Sequence, residues 1–312
     1  MPCRVVLASE VAQPFRVSIM SDVEDRSVRP KLVGLLANDD PAAGTYAKWA
    51  GKSCNESGLD FELRQVPRDD LEKAIKSANE DTAVSGILVY YPVFGDDRDK
   101  HLADLVDPRK DVEGLCRLYY KKMHNNERHM DEDQEKKPII PCTPLAVLKI
   151  LDHVGVFDNS LRYGDRLRGK TITVVNRSEV VGRPLAALLA NDGATVYSVD
   201  INDIQLFHRE AGSAINSYKS ELIDLKLEDI VPKSDVVITG VPSPNYKMPT
   251  SLLKEGVIAV NFSTAKNFEE SVKERASVYV PSVGKVTVTM LQRNLLRLHD
   301  YYNETPSEAS QA

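Results

Sequence analysis

Two series of short apolar runs, each run followed by a segment of helical periodicity, constrain this chain more than any other feature. In the first series residues 32–37 read as a buried strand that ends in the polar turn Asn38-Asp39-Asp40-Pro41. A helical stretch over 43–57 follows, closed by Gly58 as a C-cap. Residues 61–66 alternate as a strand, 69–79 return to helix with Leu71, Ala74, Ile75 and Ala78 on one face, and 86–90 form a third apolar run. The second series opens at 171–175 and continues through a helix over 184–192 and strands at 195–199, 235–239 and 257–262. Strands joined by helices at this spacing build parallel sheets from βαβ units, so the fold class is α/β. The second series has the order of a nucleotide-binding sheet, and 312 residues suffice for two such domains.

Between the series, residues 119–137 are charged and poor in aliphatics, which predicts a surface excursion. Pro141-Cys142-Thr143-Pro144 then opens a helical run over 145–154. Residues 202–233 form a mostly polar insertion whose structure the pattern leaves open. A last helix over 286–301 carries Leu291, Leu295 and Leu298 near helical spacing, and the polar tail after Asn303 is expected to be disordered.

The formal charge of −6 provides no electrostatic footprint for nucleic acid, and no basic run suits an anionic membrane. No apolar stretch approaches the roughly 20 residues of a bilayer span. Glu10, Asp22, Glu24 and Asp25 argue against a presequence over residues 1–25. Cys3, Cys54, Cys116 and Cys142 lack both metal-ligand spacing and the density of a disulfide scaffold, so no metal is expected and a reducing cytoplasm is the simplest location.

The strand at 171–175 runs into Asn176-Arg177-Ser178-Glu179-Val180-Val181-Gly182-Arg183-Pro184 and a helix. Such a strand-turn-helix can hold a phosphate on the free N–H groups of the helix N-terminus, with Arg177 and Ser178 adding side-chain hydrogen bonds. Pro184 suits a first helical turn. Only Gly182 remains of a G-x-G-x-x-G pattern, so the turn alone is equally that of any α/β domain. Asp200 ends the next strand, where a dinucleotide fold places its ribose-binding acid. A carboxylate there accepts from both ribose hydroxyls and repels a 2′-phosphate, favouring NAD over NADP; the plain alternative is an aspartate that ends a strand before a turn.

Six blocks in order, from about residue 30 to about residue 300, resemble the methylenetetrahydrofolate dehydrogenase/cyclohydrolase family, and most of all its fungal cytosolic NAD-dependent monofunctional branch. They are Tyr46 with its helix, Gly86 to Pro92, Lys110-Asp111-Val112-Glu113-Gly114, Pro141 to Pro144, Arg177-Ser178 with Val181-Gly182-Arg183-Pro184, and Gly284-Lys285-Val286-Thr287-Val288-Thr289-Met290-Leu291. The resemblance implies a folate-binding catalytic domain over 1–146, a Rossmann NAD-binding domain over 147–285, and a C-terminal helix over 286–302 that returns to pack on the first. It also implies a cleft between the domains, a homodimer, and a role in one-carbon metabolism and purine synthesis. Tyr46 would lie against the pterin ring, although a tyrosine on a helix is more often just half-buried. Asp111 would grip the amino-pyrimidine edge, whose adjacent N–H donors match a carboxylate. Glu113, Cys142 and Thr143 are further catalytic candidates, Cys142 as a packed neutral thiol. Asn176, Arg177, Ser178, Val181, Gly182, Asp200, Gly284 and Thr287 would contact NAD.

Two departures from the family pattern bear on the chemistry. The bifunctional enzymes carry a lysine one turn after the tyrosine, and here it is Ala50; they carry a glutamine after Gly-Ile-Leu-Val, and here it is Tyr90. Both fall at the folate site, on the pair used for cyclohydrolase chemistry. Lys48 and Lys52 lie two residues to either side of Ala50 and point away from the Tyr46 face. The expected activity is therefore oxidation of 5,10-methylenetetrahydrofolate to the methenyl compound with NAD, without significant hydrolysis. The rivals are an NADP-linked bifunctional enzyme and an inactive NAD-binding regulatory protein. Asn176 in place of the family's first glycine, and Pro281-Ser282 in place of a double glycine, also change the backbone next to the coenzyme.

Overall fold

A computed structural model describes residues 2–26, 29–39, 41–209 and 217–303. In chain order the elements are β1 (Arg4–Val5), α1 (Ala8–Glu24), β2 (Lys31–Leu36), α2 (Pro41–Glu56), β3 (Asp60–Gln65), α3 (Leu71–Glu80), β4 (Gly86–Val89), α4 (Asp97–Leu105), α5 (Arg117–His124) and α6 (Cys142–His153). They continue with β5 (Thr171–Val175), α7 (Gly182–Asn191), β6 (Thr195–Val199), β7 (Ile204–His208), β8 (Lys219–Ile223), α8 (Leu227–Ile230), β9 (Val236–Thr239), β10 (Ile258–Asn261), α9 (Val272–Arg275), β11 (Val278–Val280) and α10 (Gly284–Asn303).

The chain divides into two compact units. One comprises the described residues of 13–121, 128–142 and 288–303 and holds a parallel three-stranded sheet of order β3-β2-β4. A strand covered on both faces reads as a continuous apolar run, and β2 and β4 do so. Their period of two sorts the side chains. Val33, Leu35, Ile87 and Val89 join the cluster under α3 and α4, whereas Leu32, Leu36, Leu88 and Tyr90 join the cluster with α2 and α10. Burying a Leu or Ile of this kind is worth about 1.5–3 kcal/mol. The second cluster is completed by Leu291, Leu295 and Leu298, the stripe seen in the sequence.

The other unit comprises residues 1–12, 122–127 and 143–287 around an eight-stranded sheet of order β1-β11-β10-β9-β5-β6-β7-β8. The ladders are parallel except β6–β7 and β7–β8. The insertion at 202–233 thus includes two antiparallel strands that extend the sheet. It reads as polar because four of the five residues of β8 face solvent, as an edge strand's do. Phe207 on β7 is its buried anchor, stacked on Tyr218 at 5.1 Å.

One expectation is corrected. The predicted surface excursion at 119–137 begins inside α5, where Tyr119 is fully buried and its hydroxyl donates to Pro108 O at 2.8 Å. A tyrosine flanked by charge looks exposed in sequence, but one hydrogen bond satisfies its polar end and lets the ring go inside. Near the N-terminus, α1 contains Pro14, a residue that usually marks a helix break, and buries Val11, Ala12, Ile19 and Val23. The tail after Asn303 lies outside the described residues.

Candidate functional site

In the three-stranded unit the pleat of β4 carries on into Tyr90 and Tyr91 and sends them to opposite sides. Tyr90 faces α2, where Tyr46 meets it edge to face with centroids 6.0 Å apart and planes at 78°. Ala50, one helical turn after Tyr46, is wholly buried in the same cluster, with Cys54 and Cys142. Lys48 and Lys52 are exposed. The hydroxyl of Tyr90 is buried without a hydrogen-bond partner among the described residues, as is that of Tyr91.

Tyr91 faces a small cavity, of about 10 Å³, that Ile87, Val89, Asp111, Glu113 and Leu115 help to line. The loop carrying the two acids is pinned to β4 by the Ile87 N–H, which donates to Lys110 O at 2.7 Å. Asp111, which the resemblance places against the pterin, is engaged by its own loop. Its Oδ1 accepts from the N–H groups of Glu113 (3.1 Å) and Gly114 (2.9 Å), and its Oδ2 accepts from that of Cys116 (2.8 Å). The carboxylate therefore shapes its own loop. Gly114 is required here: its φ is +65°, and a Cβ would stand 2.7 Å from Ile139 O. The carboxyl of Glu113 has no hydrogen-bond or ion-pair partner among the described residues. Burial, reinforced by the charge of Asp111, pushes its carboxyl up to about 8.

Cys142 is a neutral thiol. Its Sγ donates to Val112 O at 3.4 Å, and burial drives its pKa well up. Asn294 on α10 was missed in the sequence. Its Nδ2 donates to Val112 O (2.9 Å) and Ile140 O (3.0 Å), holding the acid loop and the approach to Cys142 together. The signal was there: two amides, Gln292 and Asn294, between Leu291 and Leu295 on the leucine-bearing helix, both of them buried. Lys110 brings no charge to the site, because its ammonium caps α3 through Ala78 O, Asn79 O and Asp81 O.

In the eight-stranded unit, β5 runs into the turn and α7 as expected. Asn176 adopts φ +141°, a backbone conformation that L side chains rarely adopt, and is tied down by Nδ2 donating to Gly240 O at 2.9 Å. Gly182 lets the helix start against the turn, since a Cβ would lie 1.9 Å from Asn176 O. Ser178 Oγ accepts from the N–H groups of Val181 (3.3 Å) and Gly182 (3.4 Å), so it holds the turn that leads into α7. Arg177 departs from its expected role beside a phosphate. Its side chain is 6% exposed and turns toward β6, where Nε donates to Ser198 Oγ at 3.2 Å. Asp200 stands exposed just past β6, one oxygen accepting from the Ile201 N–H at 2.8 Å.

Thr143, in the first turn of α6, is half-buried. Gly284 is the exposed first residue of α10, where a Cβ would meet nothing within 4 Å. Thr287 is buried and donates to Val283 O at 3.4 Å. No group of three or more His, Cys, Asp or Glu among the described residues could hold a metal ion, and no described helix is long and apolar enough to cross a membrane.

Residues 6–113 match the family model for the tetrahydrofolate dehydrogenase/cyclohydrolase catalytic domain, and residues 141–303 match that family's NAD(P)-binding domain. The chain belongs to this family. A methylenetetrahydrofolate dehydrogenase [NAD(+)] of Schizosaccharomyces pombe is 55% identical over 307 residues, 97% of this chain and 95% of that one. The protein of the same name from Dictyostelium discoideum is 48% identical, over 92% and 91% of the two chains. The solved NAD-dependent 5,10-methylenetetrahydrofolate dehydrogenase of Saccharomyces cerevisiae superposes with a TM-score of 0.92 at 48% identity, covering 97% of this chain and all of that one. This family member is thus similar over almost its whole length to NAD-dependent dehydrogenases, and the two-unit α/β architecture is that of the yeast structure.

Proposed function

We propose that this chain oxidises 5,10-methylenetetrahydrofolate to 5,10-methenyltetrahydrofolate by direct hydride transfer to NAD, with no significant cyclohydrolase activity. The observation that carries the second half is a folate-unit site with two aromatic rings and a partnerless carboxyl but, among the described residues, no ammonium group. Ala50 is buried where the bifunctional pattern has lysine, Lys48 and Lys52 face outward, and Lys110 is held by α3.

Glu113 is the residue we assign to the amino-pyrimidine edge of the pterin, in place of Asp111, whose oxygens already accept three backbone N–H groups. Tyr46 supplies a flat apolar face beside it. The exposed carboxylate of Asp200 and the positive dipole end of α7 fit an adenosine ribose and a pyrophosphate. When bound, NAD supplies the hydride acceptor. Loss of hydride from the bridging carbon leaves a cation shared over N–C–N, so the protein need not remove a proton, and its contribution is orientation. Adding water to that cation calls for proton transfers at a group of tuned pKa, which alanine cannot provide. A homodimer and a cytoplasmic location belong to the same reading, the latter in keeping with four free thiols.

Initial rates with NAD and NADP side by side, with methenyl hydrolysis followed on the same preparation, test the proposal. We expect NADH formation, a clear preference for NAD, and hydrolysis at the uncatalysed rate. No turnover at high enzyme concentration, or catalysed hydrolysis, would reject it.

A further inference from the structure

Arg177 and Asp203 form a unit that the coenzyme assignment has not used. Arg177 Nη2 donates to Ser198 O at 3.1 Å and to Asp203 O at 2.9 Å. It also lies 2.5 Å from Asp203 Oδ1, an ion pair in which the arginine is almost wholly buried while the aspartate is 38% exposed. The turn after β6 sets this up. The Asp200 N–H donates to Asp203 O at 3.0 Å, so the bend that presents Asp200 to solvent also lays Asp203 over the guanidinium.

In a dinucleotide fold the acid that ends the second strand accepts from the ribose 2′-hydroxyl, and an arginine nearby accommodates a 2′-phosphate. This chain carries both groups, which taken alone would point in opposite directions. The ion pair resolves the conflict. With Asp203 against it, the cation is compensated, and a 2′-phosphate arriving beside Asp200 meets two carboxylates and one guanidinium already in use. We infer that Asp203 is a coenzyme-specificity residue, acting through Arg177 by cancelling the charge that would otherwise attract a 2′-phosphate. This deepens the NAD assignment above and rests on it.

Asp203→Asn removes the charge and keeps the backbone carbonyl that Arg177 binds. The ratio of kcat/KM for NADP to that for NAD should rise by about tenfold or more. Adenosine 2′,5′-bisphosphate, titrated calorimetrically against 5′-AMP, should gain affinity by a similar factor. Asp203→Glu should keep the wild-type ratio, and in an Arg177→Ala background the Asp203→Asn change should move neither readout. A merely structural tie between the two turns would alter stability and leave the ratio where it was. An unchanged ratio in Asp203→Asn, or an equal change without Arg177, overturns the inference. Failure of the folate reading would show separately, as a wild-type enzyme without turnover, and the nucleotide titration would still decide the role of Asp203.

Discussion

At the scale of single residues, environment rather than identity assigns the roles. Asp111 and Glu113 are both acids on one loop, yet one is saturated by backbone donors and the other is left without a partner. Glu113→Gln keeps the shape but cannot ionise, so above pH 8, where the wild-type carboxyl is charged, we expect the KM for the folate substrate to rise about ten- to a hundredfold, the worth of a charged hydrogen bond. The pH dependence has a definite sign. The folded-state pKa of Glu113 lies near 8, above the ordinary glutamate value of about 4.3. Its contribution to stability is therefore complete below that ordinary value and is lost as pH rises toward 8. Urea unfolding across this window should show a decline that Glu113→Gln flattens; parallel declines would place the effect elsewhere. Ala50→Lys should cost about 2–4 kcal/mol, since it forces an ammonium into a packed site. Tyr90→Gln in the same chain should recover part of that by opening space, so denaturation of the singles and the double should show favourable coupling.

At the scale of elements, the turn from β5 to α7 shows how far a local pattern reaches. Strand, turn and helix were legible at 171–175 and 184–192 because apolar periodicity and Pro184 are local signals. The direction of Arg177 was not, because its acceptors Ser198 and Asp203 lie on another strand and its turn. The same holds for Asn294, whose acceptors Val112 and Ile140 come from two distant loops. Gly182 is where local geometry can be tested. Gly182→Ala must displace backbone at Asn176, at a cost of about 1–3 kcal/mol. The displaced turn should weaken ADP-ribose binding about tenfold or more by calorimetry; unchanged affinity would mean that the turn does not hold the pyrophosphate.

At the scale of the whole molecule, NAD at a hundred times its dissociation constant should stabilise the fold by about 2.7 kcal/mol. Thermal melts followed by circular dichroism should show this as a raised midpoint, with NADP at equal concentration raising it less; equal shifts would deny selectivity. Trp49, the single tryptophan, sits on α2 and reports the three-stranded unit separately. Alternating apolar runs were enough to foresee the α/β class and the principal strands, because burial on both faces of a parallel sheet imprints itself on consecutive residues. The family, too, could be read from short blocks in order. Packing alone put Tyr119 inside, turned 202–233 into sheet edge, and divided the duties of two neighbouring acids. Each of those outcomes depends on partners far away in the chain, and a side chain's charge or burial is set by what folding brings beside it.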